Sequence, residues 1–128
     1  MKIVDIQCFP LRTDLSRAIG FSQWYYHAKN NFVLKVVCDD GTVGWGECYG
    51  PNLAIAASVG HHFKPLLIGK DPLQNEVLWN FMWRAYYDFN RYGIFMAAIS
   101  GIDIALWDIK GKALNTPVRV LLGGSSEP

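Results

Sequence analysis

With 128 residues, 51% of them hydrophobic, the chain has the length and composition of one folded domain rather than of a disordered tail. The net charge of +1 and the lack of any lysine- or arginine-rich run give no reason to expect nucleic acid or an anionic membrane as a partner. Charge interrupts the opening Met1-Lys2-Ile3-Val4-Asp5 too early for a signal peptide, and no stretch reaches the ~18 apolar residues of a membrane helix. We therefore expect a cytoplasmic globular protein.

The first predicted strand covers residues 3–11, and a segment without a clear period follows it. Val4, Ile6 and Cys8 share one face of this strand at a period of two. Polar and aromatic residues between positions 13 and 31 show no clean alternation, so we predict a long loop there. Loops of this length inside a compact domain are often lids or binding loops. We expect this one to be the least ordered internal segment.

Two further strands form a predicted hairpin. Residues 32–38 show the period of two that is typical of a strand. Residues 39–42 (Asp-Asp-Gly-Thr) predict a hairpin turn, because Asp-Gly supplies the positive φ angles that such turns need, and residues 43–47 form the returning strand. Gly44 and Gly46 in the returning strand indicate a bulge or a close approach of another backbone. The predicted buried face of the middle strand consists of Phe32, Leu34, Val36 and Cys38.

The remainder of the chain predicts helices over residues 52–63, 72–88 and 94–114, with a short turn after Pro117. Asn52 and Asp71 are the predicted N-caps of the first two helices, and Pro65 is predicted to end the first. The third helix is rich in alanine and glycine, which permit close packing. The predicted buried stripe of the second helix is Val77, Leu78, Phe81, Met82 and Tyr86. The pattern predicts an α+β fold, a three-stranded antiparallel sheet followed by a helical bundle.

Cys8, Cys38 and Cys48 form an odd set without C-x-x-C spacing, which argues against a disulfide framework and against a zinc site. We predict three unpaired thiols that behave as small buried hydrophobic side chains in a reduced cytoplasm. A redox role is the alternative.

Four stretches together resemble the capping domain of the enolase superfamily, in its mandelate racemase and muconate lactonizing enzyme branch. They are residues 44–47 (Gly-Trp-Gly-Glu), 67–72 (Leu-Ile-Gly-Lys-Asp-Pro), 98–112 and 117–124. The resemblance implies that residues 1–124 form the substrate-capping domain. It also implies that residues 125–128 begin the linker to a (β/α) barrel that is absent from this sequence.

In the resembled family the barrel carries the chemistry, abstracting the proton next to a carboxylate while Mg²⁺ stabilises the resulting enediolate. A divalent cation can hold the negative charge that develops on such a substrate. The resemblance places the Asp/Glu/Glu metal ligands and the catalytic lysines or histidine in the barrel, and a barrel needs ~250 residues. We therefore expect no catalytic residue and no metal ligand in this chain, and we expect the full-length enzyme to be a homo-oligomer.

Several residue pairs imitate catalytic or metal sites but have simpler structural interpretations. Lys110 and Lys112 mimic a Lys-x-Lys base motif, yet on a helix they diverge by about 200° and complement the helix dipole. Asp103 and Asp108 face different directions, and Asp108 can pair with Lys112 at i+4. The adjacent His61-His62 suit solvation or packing. The aromatic residues at helical spacing, Trp79, Trp83, Tyr86 and Tyr87, suit a core or a domain interface.

Two segments carry side chains suited to a polar substrate, residues 12–31 and residues 47–51. In the resembled family these segments close over the barrel mouth and contact the distal end of the substrate. Aromatic faces beside hydroxyl, imidazole and ammonium groups suit a polyhydroxylated acid. The candidate substrate-binding residues are Arg17, Phe21, Trp24, Tyr25, His27, Lys29, Glu47 and Tyr49.

The leading hypothesis is therefore the capping fragment of a Mg²⁺-dependent acid-sugar dehydratase, which removes the proton α to the carboxylate and expels the β-hydroxyl. The expected partners are its own barrel and a small carboxylate substrate. A racemase, epimerase or cycloisomerase of the same branch is the close alternative. A stand-alone small binding domain is the alternative from a different class. A coding sequence that continued beyond Pro128 into βα repeats would exclude it.

Overall fold

The computed structural model describes residues 1–125, in which a three-stranded antiparallel sheet packs against helices. The strands are β1 (Ile3–Phe21), β2 (Trp24–Cys38) and β3 (Val43–Cys48), in the spatial order β1-β2-β3. The helices are α1 (Asn52–Ala57), α2 (Lys64–Leu67), α3 (Asn75–Ala85), α4 (Ile94–Ala113) and α5 (Val118–Leu121), and the π-helical segment Ser58–Phe63 joins α1 to α2. The predicted α+β fold is confirmed. Residues 126–128 of the predicted linker lie outside the described residues.

Strands β1 and β2 are much longer than predicted, because residues 13–31 form an antiparallel hairpin and not a loop. The two-residue turn Ser22-Gln23 joins the strands, with Ser22 at a φ of 48°. The loop prediction is wrong for a physical reason. Both faces of this part of the hairpin are exposed, so no alternation of buried and exposed residues marks it as a strand. Its aromatic and β-branched residues nevertheless favour the strand conformation.

The first turn of β1 corrects the predicted buried face. Ile3 pairs with Cys38 and Asp5 with Val37, so Val4 is the extra residue of a bulge. Val4 is exposed, whereas Ile3 and Ile6 are buried in the core. Periodicity alone cannot locate such a bulge.

The helical region departs from the prediction at its start. Pro51 occupies the N-cap position of α1, and the Asn52 side chain makes other contacts. Pro65 does not end the helix, because the preceding π-helical segment shifts the hydrogen-bond ladder and the Lys64 N–H donates to Val59 O. Pro65 then lies in the first turn of α2, where it loses no necessary hydrogen bond.

Helix α3 begins at Asn75 rather than at Pro72, because Asp71 stabilises a turn. Its Oδ1 accepts from the Leu73 N–H at 3.0 Å, and its carbonyl accepts from the Gln74 N–H. The buried face contains Leu78 and Met82, as predicted, and Tyr86 just beyond the helix is half-buried. Val77 and Phe81 are exposed, so their assignment to the buried stripe is wrong.

The core lies where α4 crosses β3 at very short range. The carbonyl oxygen of Ala105 lies against Gly44 and that of Gly101 against Gly46, with no room for a Cβ on either glycine. Gly101 is itself pressed against Cys48 Sγ. The predicted close backbone approach at Gly44 and Gly46 is confirmed. The predicted face of Phe32, Leu34, Val36 and Cys38 is fully buried beneath the helices.

Helix α4 also satisfies the free edge of β3. The Trp45 N–H donates to Asp108 Oδ2 at 2.9 Å, and Lys112 Nζ donates to Val43 O at 2.8 Å. Lys112 and Asp108 form the predicted i,i+4 ion pair at 2.6 Å. These contacts occupy backbone groups that an edge strand otherwise presents to other chains.

The three cysteines, all within the described residues, are free, as predicted. Cys38 and Cys48 are buried, and Cys8 is half-buried. Burial raises the pKa of Cys38 to about 11 and that of Cys48 to about 12. Both thiols therefore stay protonated and unreactive near neutral pH.

We expect Gly44→Ala and Gly46→Ala to destabilise the chain by about 3 kcal/mol or more, because the new methyl group meets the α4 backbone. Gly60→Ala is the matched control, since nothing lies within 4 Å of a Cβ at Gly60. In a helix this change stabilises by up to about 1 kcal/mol. Urea denaturation measures the free energy of unfolding of the three variants. Equal changes in this free energy for Gly44→Ala and Gly60→Ala would contradict the packing argument.

We expect Lys64→Met to reduce stability at pH 7 but not at strongly acidic pH. Lys64 Nζ donates to Asp5 Oδ1 at 2.5 Å, and this bond, followed by one from Gln7, lowers the pKa of Asp5 from its ordinary value. A lowered carboxyl pKa stabilises the fold above the unfolded-state value, and this stabilisation is lost as pH falls through the folded-state value. Both side chains are over one-third exposed, so the effect is well below 1 kcal/mol. Chemical denaturation of the original protein and of Lys64→Met at several pH values between 7 and 2 measures both free energies of unfolding. Their difference should vanish toward pH 2.

Candidate functional site

The distal half of the β1–β2 hairpin, residues 12–31, projects beyond the third strand, and we call it the arm. Strand β3 ends at Cys48, which pairs with Phe32, so residues 24–31 pair only with β1 among the described strands. At ~3.3 Å per residue, the arm reaches roughly 26 Å past the three-stranded sheet.

One face of the arm tip is apolar. Residues opposite each other in an antiparallel pair share a face, and Phe21 pairs with Trp24 while Ile19 pairs with Tyr26. The Phe21 and Tyr26 rings are 5.3 Å apart between centroids. These four side chains are 50% to 65% exposed. An exposed aromatic cluster of this size indicates a surface that contacts another molecule or domain.

The other face of the arm is polar. Tyr25, His27 and Lys29 alternate with the apolar residues along β2 and therefore share this face. The Tyr25 ring lies over Gly20, where a Cβ would meet Tyr25 Cδ1 at 2.7 Å. Arg17 lies in an irregular stretch of β1 opposite His27, between the pairs Asp14–Ala28 and Ile19–Tyr26. The structure thus places Phe21 and Trp24 on one face, and Tyr25, His27 and Lys29 on the opposite face.

The two remaining candidates, Glu47 and Tyr49, lie at the base of the arm and not at its tip. Glu47 Oε1 accepts a hydrogen bond from Asn31 Nδ2 at 2.6 Å, and Tyr49 is 94% exposed. Asn52 Nδ2 donates to Leu11 O at 3.2 Å and to Asn31 O at 3.3 Å. These bonds fasten β1 and β2 to the start of α1 at the base of the arm.

Sequence reasoning missed the roles of Asn31 and Asn52. Asn52 joins residues 41 and 21 positions away in the chain, and no local pattern signals such contacts. Asparagine is favoured at N-cap positions, but the Asn52 side chain instead donates to carbonyl oxygens of β1 and β2.

The lysine pair on α4 is structural, as predicted. Lys110 Nζ donates to Asn75 Oδ1 at 2.9 Å and lies 5.1 Å from the Trp107 ring centroid. Lys112 instead contacts Asp108 and the edge of β3. The two ammonium groups therefore serve different neighbours and cannot act as a paired base.

The described residues contain no cluster of three or more histidine, cysteine, aspartate or glutamate side chains that could hold a metal ion. His61 is exposed, while His62 Nδ1 lies 3.2 Å from the Tyr86 hydroxyl and its ring packs against Phe95. The histidine pair is thus solvated and packed, as predicted. No helix within residues 1–125 is long and apolar enough to cross a membrane.

This sheet-and-helix domain matches a known family over most of its length. Residues 11–123 match the model described as the mandelate racemase / muconate lactonizing enzyme, N-terminal domain. The chain belongs to this family. The chain spans about a third or less of the length of the curated relatives it matches. Those relatives therefore contain a larger part that this domain does not cover.

Relatives in the family carry acid-sugar names. The chain is 40% identical over 124 residues to a D-galactarolactone cycloisomerase of Agrobacterium fabrum, covering 97% of this chain and 32% of that protein. It is 51% identical over 94 residues to a D-galactonate dehydratase of Verminephrobacter eiseniae, covering 71% and 24%. The crystal structure of the 3,6-anhydro-D-galactonate cycloisomerase from Zobellia galactanivorans superposes with a TM-score of 0.87 at 43% identity, covering 100% of this chain and 33% of that one.

We expect Trp24→Ala and Tyr25→Ala to leave the stability of this chain within about 0.5 kcal/mol of the original, because both side chains are largely exposed. Phe32→Ala is the control, since Phe32 lies on the same strand but is fully buried, and its truncation costs about 3–5 kcal/mol. Chemical denaturation of the three variants checks this. A large loss at Trp24 would show that the arm supports the fold instead of serving a partner.

Proposed function

We propose that this chain is the substrate-capping domain of a Mg²⁺-dependent enzyme that acts on an acid sugar, with its active site in a barrel domain. The observation that carries the proposal is the arm, whose exposed aromatic and polar side chains have no partner surface among the described residues. The family match and the acid-sugar names of the relatives support the same function.

The polar face of the arm suits the distal end of a polyhydroxylated acid. Tyr25 offers a hydroxyl group and an aromatic face, His27 an imidazole and Lys29 an ammonium group. A sugar acid needs hydrogen bonds to its hydroxyl groups and stacking against its C–H faces. We assign this face to the substrate and the apolar face, with Phe21 and Trp24, to packing against the barrel.

The chemistry would be divided between the two domains. Mg²⁺ bound in the barrel would hold the negative charge that develops on the substrate carboxylate when the α-proton leaves. Residues of this chain would contact the remote part of the substrate and exclude water from the site. Such remote contacts also orient the reacting centre, so losing them lowers the rate as well as the affinity.

A dehydratase is our first choice, because identity to the D-galactonate dehydratase is 51%, against 40% to the D-galactarolactone cycloisomerase. The cycloisomerase is the second candidate, since that relative aligns with 97% of this chain. A panel that contains both aldonic acids and aldarolactones separates the two activities.

In the longer protein that carries this domain, we expect Tyr25→Ala to lower kcat/KM for acid sugars at least tenfold and to change selectivity within the panel. A tenfold loss corresponds to about 1.4 kcal/mol of transition-state binding. Trp24→Ala should lower kcat/KM by a similar factor for every substrate, because it weakens the packing of the arm against the barrel without removing a substrate contact. Mg²⁺ affinity should not change in either variant.

The control is Tyr87→Ala, which removes a similarly exposed aromatic residue that follows α3. Unchanged rate and selectivity in both arm variants would contradict the capping role of the arm. The 128-residue chain alone is expected to have no activity with or without Mg²⁺. Turnover by this chain that a chelator abolishes would overturn the division between the domains.

A further inference from the structure

Gly20 is an unexpected residue for its position in the arm. It lies in β1, on an exposed stretch just before the turn Ser22-Gln23. Its φ lies outside the left-handed region, so its backbone conformation is open to any residue. Glycine is disfavoured inside strands, because it loses the most conformational freedom on folding and offers no side chain for packing. The backbone therefore gives no reason for a glycine at position 20, and its surroundings have to supply one.

The ring of Tyr25 fills the space above Gly20. The two residues lie opposite each other in the pairing of β1 with β2, so they share the polar face of the arm. A Cβ on Gly20 would lie 2.5 Å from Tyr25 Cε1, 2.7 Å from Cδ1 and 3.2 Å from Cζ. Non-bonded carbon atoms are stable at about 3.5–4.0 Å from each other. Any side chain at position 20 would therefore displace the ring.

Filling this space has a different cost from filling the space at Gly44 or Gly46. There a new methyl group meets carbonyl oxygens of α4, which cannot move without shifting the helix. At Gly20 the methyl group meets the far end of a flexible side chain in an exposed ribbon. The ring can turn to another rotamer at little cost. Glycine at position 20 therefore fixes where the Tyr25 ring lies, while the fold does not depend on it.

A ring that is already held in place suits a binding surface. Tyr25 is 62% exposed, and no residue within 1–125 forms a hydrogen bond with its hydroxyl group. The ring is thus held by packing against Gly20 where no polar contact holds it. Ordering a free side chain on binding lowers the affinity, and a ring that is ordered beforehand avoids this loss.

We propose that Gly20 is a positioning residue, which holds the Tyr25 ring across β1 so that the exposed part of the ring is ready to stack against a ligand. The inference rests on the proposed function for the identity of that ligand as an acid sugar. It makes Gly20 a determinant of kcat/KM that acts through Tyr25 and not by a contact of its own.

Fluorine NMR of the longer protein measures the ring position directly. 3-Fluorotyrosine replaces Tyr25 in one sample and, in a second sample, Tyr87, which is 61% exposed and follows α3. We expect Gly20→Ala to move the resonance at position 25 toward that of the unfolded chain and to leave the resonance at position 87 in place. Gly60→Ala is the matched control and should move neither, because nothing lies within 4 Å of a Cβ there. An unchanged resonance at position 25 in Gly20→Ala would overturn the proposal.

Steady-state kinetics of the same protein test the consequence for binding and turnover. We expect Gly20→Ala to lower kcat/KM for acid sugars about fivefold without lowering the thermal transition. In the Tyr25→Ala background the same change should have no further effect, because the ring that it displaces is absent. Losses that multiply in the double variant would show that Gly20 does not act through Tyr25. A lower thermal transition for Gly20→Ala would indicate a structural role, and either result would overturn the proposal.

Separate outcomes distinguish this inference from the proposed function. No turnover on the acid-sugar panel, or full activity of Tyr25→Ala, would contradict the proposed function, and the fluorine resonance would still decide whether Gly20 positions the ring. Full activity of Gly20→Ala beside a loss of about tenfold in Tyr25→Ala would defeat this inference alone.

Discussion

Helix α4 approaches β3 so closely that only glycine fits on the strand, and the rest of the domain depends on this contact. Carbonyl oxygens of α4 lie where the Cβ atoms of Gly44 and Gly46 would be. Close approach removes both backbones from water, and the same helix meets the edge of β3 through Asp108 and Lys112. The β3 edge of the sheet therefore meets a helix, which hinders its pairing with other chains.

The arm is anchored by the pairing of β2 with β3 and by Asn52. Strand β2 pairs with β3 through Val37 and Phe32, and it then continues without interruption into residues 24–31. Hydrogen bonds from Asn52 to both strands fasten the arm at its base. A two-stranded ribbon is marginally stable by itself. Its attachment to a rigid three-stranded sheet allows it to hold exposed aromatic residues far from the core.

Within residues 1–125 the domain exposes surfaces of different chemistry. The arm separates an apolar face, which includes Trp24, from a polar face, which includes Tyr25, so one small molecule can contact only one of them. A second surface lies where α4 passes the edge of β3, and it exposes Trp45, Ile104 and Leu122.

The sequence alone determined the α+β fold, the buried alternation over residues 32–38 and the close packing signalled by Gly44, because each reflects local periodicity or the absence of a side chain. The tertiary structure decided what local patterns do not encode. Residues 12–31 form a hairpin exposed on both faces, so they lack the alternation that burial imposes. Asn52 leaves its predicted cap role for partners 21 and 41 positions away. Val77 is exposed because the packing of α3, and not its apolar spacing, determines which side of the helix meets the core.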